Sequence, residues 1–110
     1  MTHKVALAEA INQLNKETEF PFTQLLRHGS MTVEYFAPQG TDTQQPHLQD
    51  EIYVIASGSS AFFCNGNYMD CTKGDLLFVP AGMEHHFEHF TDDFATWVIF
   101  YGPRGGEKEI

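Results

Sequence analysis

Positive charge is scarce in this chain. Its 110 residues include 6 Lys and Arg against 15 Asp and Glu, a net charge of −9. A phosphate backbone or an anionic membrane surface would repel such a protein at physiological salt, so nucleic acid and membrane are excluded as partner classes. Long hydrophobic runs are missing too. No apolar stretch approaches the roughly 18 residues of a membrane span. The opening MTHKVALAEAINQ lacks the basic region, apolar run and small-residue cleavage site of a secretory leader. A cytoplasmic protein is the expectation. Cysteine is limited to Cys64 and Cys71. Paired about the turn Asn65-Gly66, they fall about three to four residues apart along two strands, ~10 Å or more, too far for a disulfide. Two reduced thiols suit a reducing compartment. The sequence also has no repeat, low-complexity tract or linker, no phosphate-cradling loop and no Gly-x-Ser-x-Gly elbow, which sets serine hydrolysis aside.

Buryable material is plentiful: 42% of residues are apolar and ten are Phe. A chain of this length suits one domain, residues 1–110, burying roughly two-thirds of its unfolded surface. From about Lys4 to Lys16, Val5, Ala8, Ile11 and Leu14 recur at helical spacing, with Thr2 available as a cap. From about 20 to 102 the helical period is gone. Short β-rich runs follow at Met31 to Phe36, Glu51 to Ala56, Ser60 to Cys64, Tyr68 to Cys71, Asp75 to Val79, His85 to Phe90 and Ala95 to Tyr101. Turn residues such as Pro38-Gln39-Gly40, Ser57-Gly58 and Pro80-Ala81-Gly82 punctuate them. Many short strands with such spacing predict an all-β sandwich or barrel behind a short N-terminal helix. The tail, about 103 to 110, reads as loose.

The segment from Gln45 to Ala56 has two faces. Pro46, Leu48, Asp50, Ile52, Val54 and Ala56 form one; Gln45, His47, Gln49, Glu51, Tyr53 and Ile55 form the other. Binary patterning buries the first and leaves His47 and Glu51 in solvent. The alternative is that the second face lines a cavity, where a polar cluster persists because it coordinates something.

At these residues the sequence resembles the cupin superfamily, the small double-stranded β-helix or jelly-roll barrels. The first cupin motif is met by Gly40, Gln45-Pro46-His47, Glu51 and Gly58, and the second by Gly74, Pro80-Ala81-Gly82 and His85, with His89 where the family has Asn. The two motifs cover about Gly40 to His89. Gln45 stands where the family has its first histidine, and the spacing from Gly40 to His47 is one residue longer than the pattern's spacing to that first histidine.

The resemblance implies a divalent transition metal, Fe, Zn, Ni or Mn, held by His47, Glu51 and His85, with Gln45 as an added oxygen ligand or leaving that position to water. Two imidazoles and a carboxylate form the facial triad suited to Fe(II), and the same set serves zinc. The leading expectation is a metal-dependent small-molecule enzyme of dioxygenase type. Alternatives are a non-catalytic ligand-binding or sensing module and a metal-dependent isomerase or lyase. With so few Lys and Arg, anionic substrates are disfavoured. Tyr53, Phe87, His89, Tyr35 and Trp97 are candidate lining for a pocket that takes a neutral small molecule, though such aromatics are equally suited to plain core. His86 has the opposite strand parity to His85 and points to solvent or an interface. His3 and His28 are uninvolved. The apolar face carrying Leu48, Ile52 and Val54 predicts a homodimer.

Overall fold

The computed structural model describes residues 3–109, which form one helix and eight strands. Helix α1 spans Leu7–Asn15, with Ala6 at its N-cap and no side-chain cap; Thr2 lies outside the described residues. The buried stripe differs from the expected one. Val5, Ala10 and Leu14 pack on the sheet, whereas Leu7 and Ile11 are 43% and 40% exposed and Ala8 is exposed. Val5 precedes the helix; within it Ala10 and Leu14, four apart, keep to the face that meets the sheet, while the spacing of three through Ala8 and Ile11 drifts off it.

The strands are β1 (Phe22–His28), β2 (Met31–Phe36), β3 (Asp50–Ser57), β4 (Ser59–Cys64), β5 (Asn67–Thr72), β6 (Leu76–Val79), β7 (His85–Glu88) and β8 (Ala95–Tyr101). They pair antiparallel throughout into a five-stranded sheet, β1-β2-β8-β3-β6, and a three-stranded sheet, β5-β4-β7. This is the predicted jelly-roll sandwich. β1 was not among the expected strands. Its burial does not alternate cleanly, and a register shift between Gln24 and Leu26 interrupts its pairing with β2.

The core lies between the sheets, built from Phe36, Tyr53, Ile55, Val79 and Val98 on one side and Phe62 and Phe87 on the other. On β3, Glu51, Tyr53 and Ile55 are buried and Ile52 and Val54 only half-buried, which decides between the two faces of that segment. A second, smaller cluster sits outside the large sheet, where α1 covers Tyr35, Ala95 and Trp97. Tyr35 therefore serves the helix contact rather than the interior.

Gly58 lets β3 pass into β4. Its φ is +72°, and a Cβ there would lie 2.8 Å from the Phe94 Cα. The tail is not loose: Gly105 N–H donates to the Leu48 carbonyl at 2.7 Å and Glu107 N–H to Asp50 Oδ2 at 2.8 Å. A buried carboxylate needs donors, and the tail supplies one of them. Cys64 and Cys71 are both free. Among the described residues no helix is long and apolar enough to cross a membrane.

Candidate metal centre

Two turns bring the site together. Pro80 to Gly82 reverses the chain before β7, and Gly82, at φ +78°, donates its N–H to the His47 carbonyl at 2.7 Å. One residue later, the Met83 carbonyl lies 2.8 Å from His85 Nδ1. A carbonyl only accepts, so Nδ1 carries the proton and Nε2 presents a free lone pair to the interior. The same turn thus fixes the backbone of one histidine and the tautomer of the other.

His47, Glu51 and His85 converge, each offering a ligand atom within 4.8 Å of the others. Glu51 Oε1 lies 3.1 Å from His85 Nε2 and 3.9 Å from His47 Nε2. The closer contact has ion-pair distance without hydrogen-bond alignment. Both Glu51 oxygens are consequently without a donor, on a side chain only 1% exposed. A carboxylate in that state is costly unless a cation compensates it.

The fourth polar group is Gln44, not Gln45. Gln44 Oε1 lies 3.2 Å from His47 Nε2, 3.2 Å from His85 Nε2 and 2.9 Å from the Tyr53 hydroxyl, which donates to it. Its Nε2 donates to Asp42 Oδ2 at 2.6 Å. Because a carboxylate cannot donate, this contact orients the amide and turns its oxygen inward. Asp42 also accepts the Phe87 N–H at 2.8 Å, tying the loop to β7. Gln45 is exposed, its amide nitrogen 3.5 Å from the nearby Thr43 carbonyl. Residues 41–49 form no strand, so the two-residue alternation that placed Gln45 beside His47 does not apply there. The signal of that irregularity is the motif spacing itself, since only four residues separate Gly40 from Gln45 where the pattern has five.

The other predicted pocket residues divide. Tyr53 and Phe87 stack edge to face beneath the site, with centroids 5.0 Å apart, and Tyr53 touches the cavity through its hydroxyl. Burial and the Glu51 charge push the Tyr53 phenol well above its ordinary range, so it remains a donor. His89 is exposed at φ +54°, beyond the end of β7, and its side chain does not join the cluster. His86 is half-buried, stacks on Phe63 and pairs with Glu88 at 2.9 Å.

Glu34 was missed, and strand parity explains why. Tyr35, the expected cavity residue, is its neighbour, and one position changes the face. Glu34 lines a cavity of about 300 Å³ together with Phe22, Gln44, His47, Glu51 and Phe100. Burial, then the charge of Glu51, pushes its carboxyl up to about 7. Burial lowers the His47 pKa, with Glu51 opposing. Burial also works against protonation of His85, but the Glu51 carboxylate, the Met83 carbonyl and Asp42 outweigh it and the pKa rises.

The residues fit a divalent metal: two imidazole nitrogens, an unsatisfied buried carboxylate and an amide oxygen face one point. Comparison with known proteins agrees with the fold. The chain is 36% identical over 84 residues to an uncharacterized protein of Streptomyces coelicolor, covering 74% of this chain and 80% of that one. A 73-residue stretch is 32% identical to the HTH-type transcriptional activator RhaS of Yersinia pestis, covering 66% of this chain but 27% of RhaS. A cupin-2 domain containing protein from Shewanella frigidimarina superposes with TM-score 0.68 at 13% identity, covering 91% of this chain and 94% of that one. The DMSP lyase DddQ from Ruegeria pomeroyi gives 0.64 at 24% identity, over 76% of this chain and 47% of that one. The family described as Cupin domain matches residues 32–101. With about two-thirds of its length under that match and both motifs converging on the interior of one antiparallel sandwich, the chain belongs to the cupin superfamily.

Proposed function

We propose that this cupin is a metal-dependent small-molecule enzyme, of dioxygenase type when the metal is iron. The observation that carries the reading is Glu51: a carboxylate 1% exposed, both oxygens without a donor, facing two imidazole nitrogens. A bound divalent metal would supply Lewis acidity and, as iron or copper, access to oxygen chemistry. His85 stays in the ligating tautomer through Met83, and His47 is held by the Gly82 contact. Gln44 offers a neutral oxygen in place of a third imidazole, kept in place by Asp42 and Tyr53. Phe100 packs edge to face on His47 at 4.8 Å and supports that ring. Neither Lys nor Arg lines the cavity, which favours a ligand without negative charge and with an uncharged body against Tyr53 and Val98.

The partial match to RhaS favours a second reading, in which the barrel senses a ligand without transforming it. We further place the protein in the cytoplasm, where Cys64 and Cys71 stay reduced. We read it as a homodimer that covers Leu76 and Phe78, 63% and 50% exposed on β6 beside Ile52 and Val54. Elemental analysis of the purified protein, with oxygen uptake measured on the same sample, tests the function. Iron or copper with substrate-stimulated uptake supports the dioxygenase. Zinc, nickel or manganese without uptake redirects it to isomerase or lyase chemistry, and a site that stays empty after reconstitution leaves the sensing reading.

A further inference from the structure

The cavity that holds Glu51 does not end at the metal-ligating trio. Phe22, Phe36 and Gln44 line both it and a wider cavity of about 610 Å³ that opens to solvent. Carboxylates follow the route: Glu17 and Glu19 at the mouth, Glu34 within, Glu51 at the end, and neither lining includes Lys or Arg. Phe20 and Phe22 stack at the mouth with centroids 5.3 Å apart and remain 54% and 37% exposed. Exposed rings beside uncompensated carboxylates attract a cation through the ring face as well as through charge.

The strand register gives the ligand a length. Phe22 opposes Phe36 and Gln24 opposes Glu34, so Phe22 and Glu34 are diagonal neighbours on one face of the β1–β2 pair. From β2 the order runs through β8 to β3, placing Glu34 two strands, about 10 Å, from the strand that bears Glu51. The unpartnered Glu51 carboxylate points into this same cavity and marks the inner end independently of the acidic mouth.

We propose that the substrate is a small organic cation, a primary amine or quaternary ammonium compound, whose charged head rests between Glu34 and the Phe22 ring. Its other end reaches the metal site across those two strands, through roughly five to seven bonded atoms. The inference rests on the reading of His47, Glu51 and His85 as the reacting end and adds the substrate class. It also revises the neutral ligand expected from composition, because half-buried Glu34 adds a charge that composition does not locate.

Choline and butylammonium, with the neutral 3,3-dimethylbutan-1-ol and the anion butyrate, serve as probes in NMR titrations of the full chain. Metal content is measured on each sample. The cations should bind at least about tenfold more tightly than the alcohol, and butyrate should not bind. Glu34→Gln and Phe22→Ala should each weaken cation binding several-fold, while Glu88→Gln, outside the cavity, should not. Equal binding of the alcohol or butyrate overturns the proposal, as does absence of saturable cation binding into the tens of millimolar. If Glu34→Gln does not fold, Phe22→Ala and the probe series decide alone. A protein that takes up metal but prefers no cation loses this inference and keeps the proposed function; the reverse result does the opposite.

Discussion

Glu51, Gln44 and Glu34 show how differently three polar side chains can be held in one cavity. Gln44 has its amide orientation forced by Asp42, so its oxygen is available at the site before any metal arrives. Gln44→Ala should therefore weaken metal affinity about tenfold or more, the effect usual for groups that orient or complete a coordination shell. Gln45→Ala and Gln45→His should leave it unchanged; isothermal titration with one metal reads all three. Glu34 is the opposite case, a carboxyl that burial and Glu51 raise to about 7 with no cation to offset them. Its ionisation is harder in the folded state than in the unfolded state, so it costs stability progressively as pH rises from about 4.5 to 7, and fully above that. Glu34→Gln should raise the Tm of the metal-free protein at pH 8, by about 4–8 °C if ~1 kcal/mol is recovered. At pH 4.5 the two proteins should melt nearly together, and a constant difference across that range would refute the assignment. His47, Glu51 and His85 were legible through the resemblance to the two cupin motifs, with Glu51 on β3 and His85 following the Pro80-Ala81-Gly82 turn. Gln44 and Glu34 were not legible. One lies in a loop without periodicity, and the other stands one position from Tyr35, on the opposite face of β2.

Among the elements, turns were easier to read than strands with weak alternation. Pro80-Ala81-Gly82 demands a reversal wherever it occurs, and the structure uses it to anchor His47 and orient His85. β1 carries no such mark. Its irregular burial and shifted register hide a strand that supplies Phe22 to the cavity. Helix α1 is visible by period, and Val5 and Leu14 of its expected stripe pack on the sheet, but Ala10 takes the place of Ala8 and Ile11, because only the sheet it meets decides which face is covered. Gly58 sets the sharpest demand at this scale. Gly58→Ala combines a positive φ with a Cβ 2.8 Å from the Phe94 backbone, and should cost more than about 2 kcal/mol in a denaturant melt. Gly40→Ala, whose Cβ would meet nothing within 4 Å, should cost less, since φ strain alone applies. Equal losses would remove the steric account of the β3–β4 passage.

At the scale of the whole molecule, the jelly-roll follows from strands too short and numerous for anything but a closed or double-layered arrangement. We place the proposed dimer contact on the outer face instead. β6 is an edge strand, and Leu76 and Phe78 project from it beside Ile52 and Val54. Light scattering should give about twice the chain mass of 12.5 kDa, and Phe78→Glu should reduce it to one. A monomer at micromolar concentration would contradict the pairing. The acidic, aromatic route to the interior is likewise a property of the assembled fold, since its carboxylates come from distant parts of the chain. We propose that the fold holds one divalent metal on His47, Glu51 and His85. The most direct test is metal stoichiometry by mass spectrometry after reconstitution and desalting of wild type, His47→Ala, His85→Ala and His89→Ala. The account predicts one metal per chain in wild type and His89→Ala and a stoichiometric loss in the other two; no metal in wild type, or equal retention in all four, would contradict it.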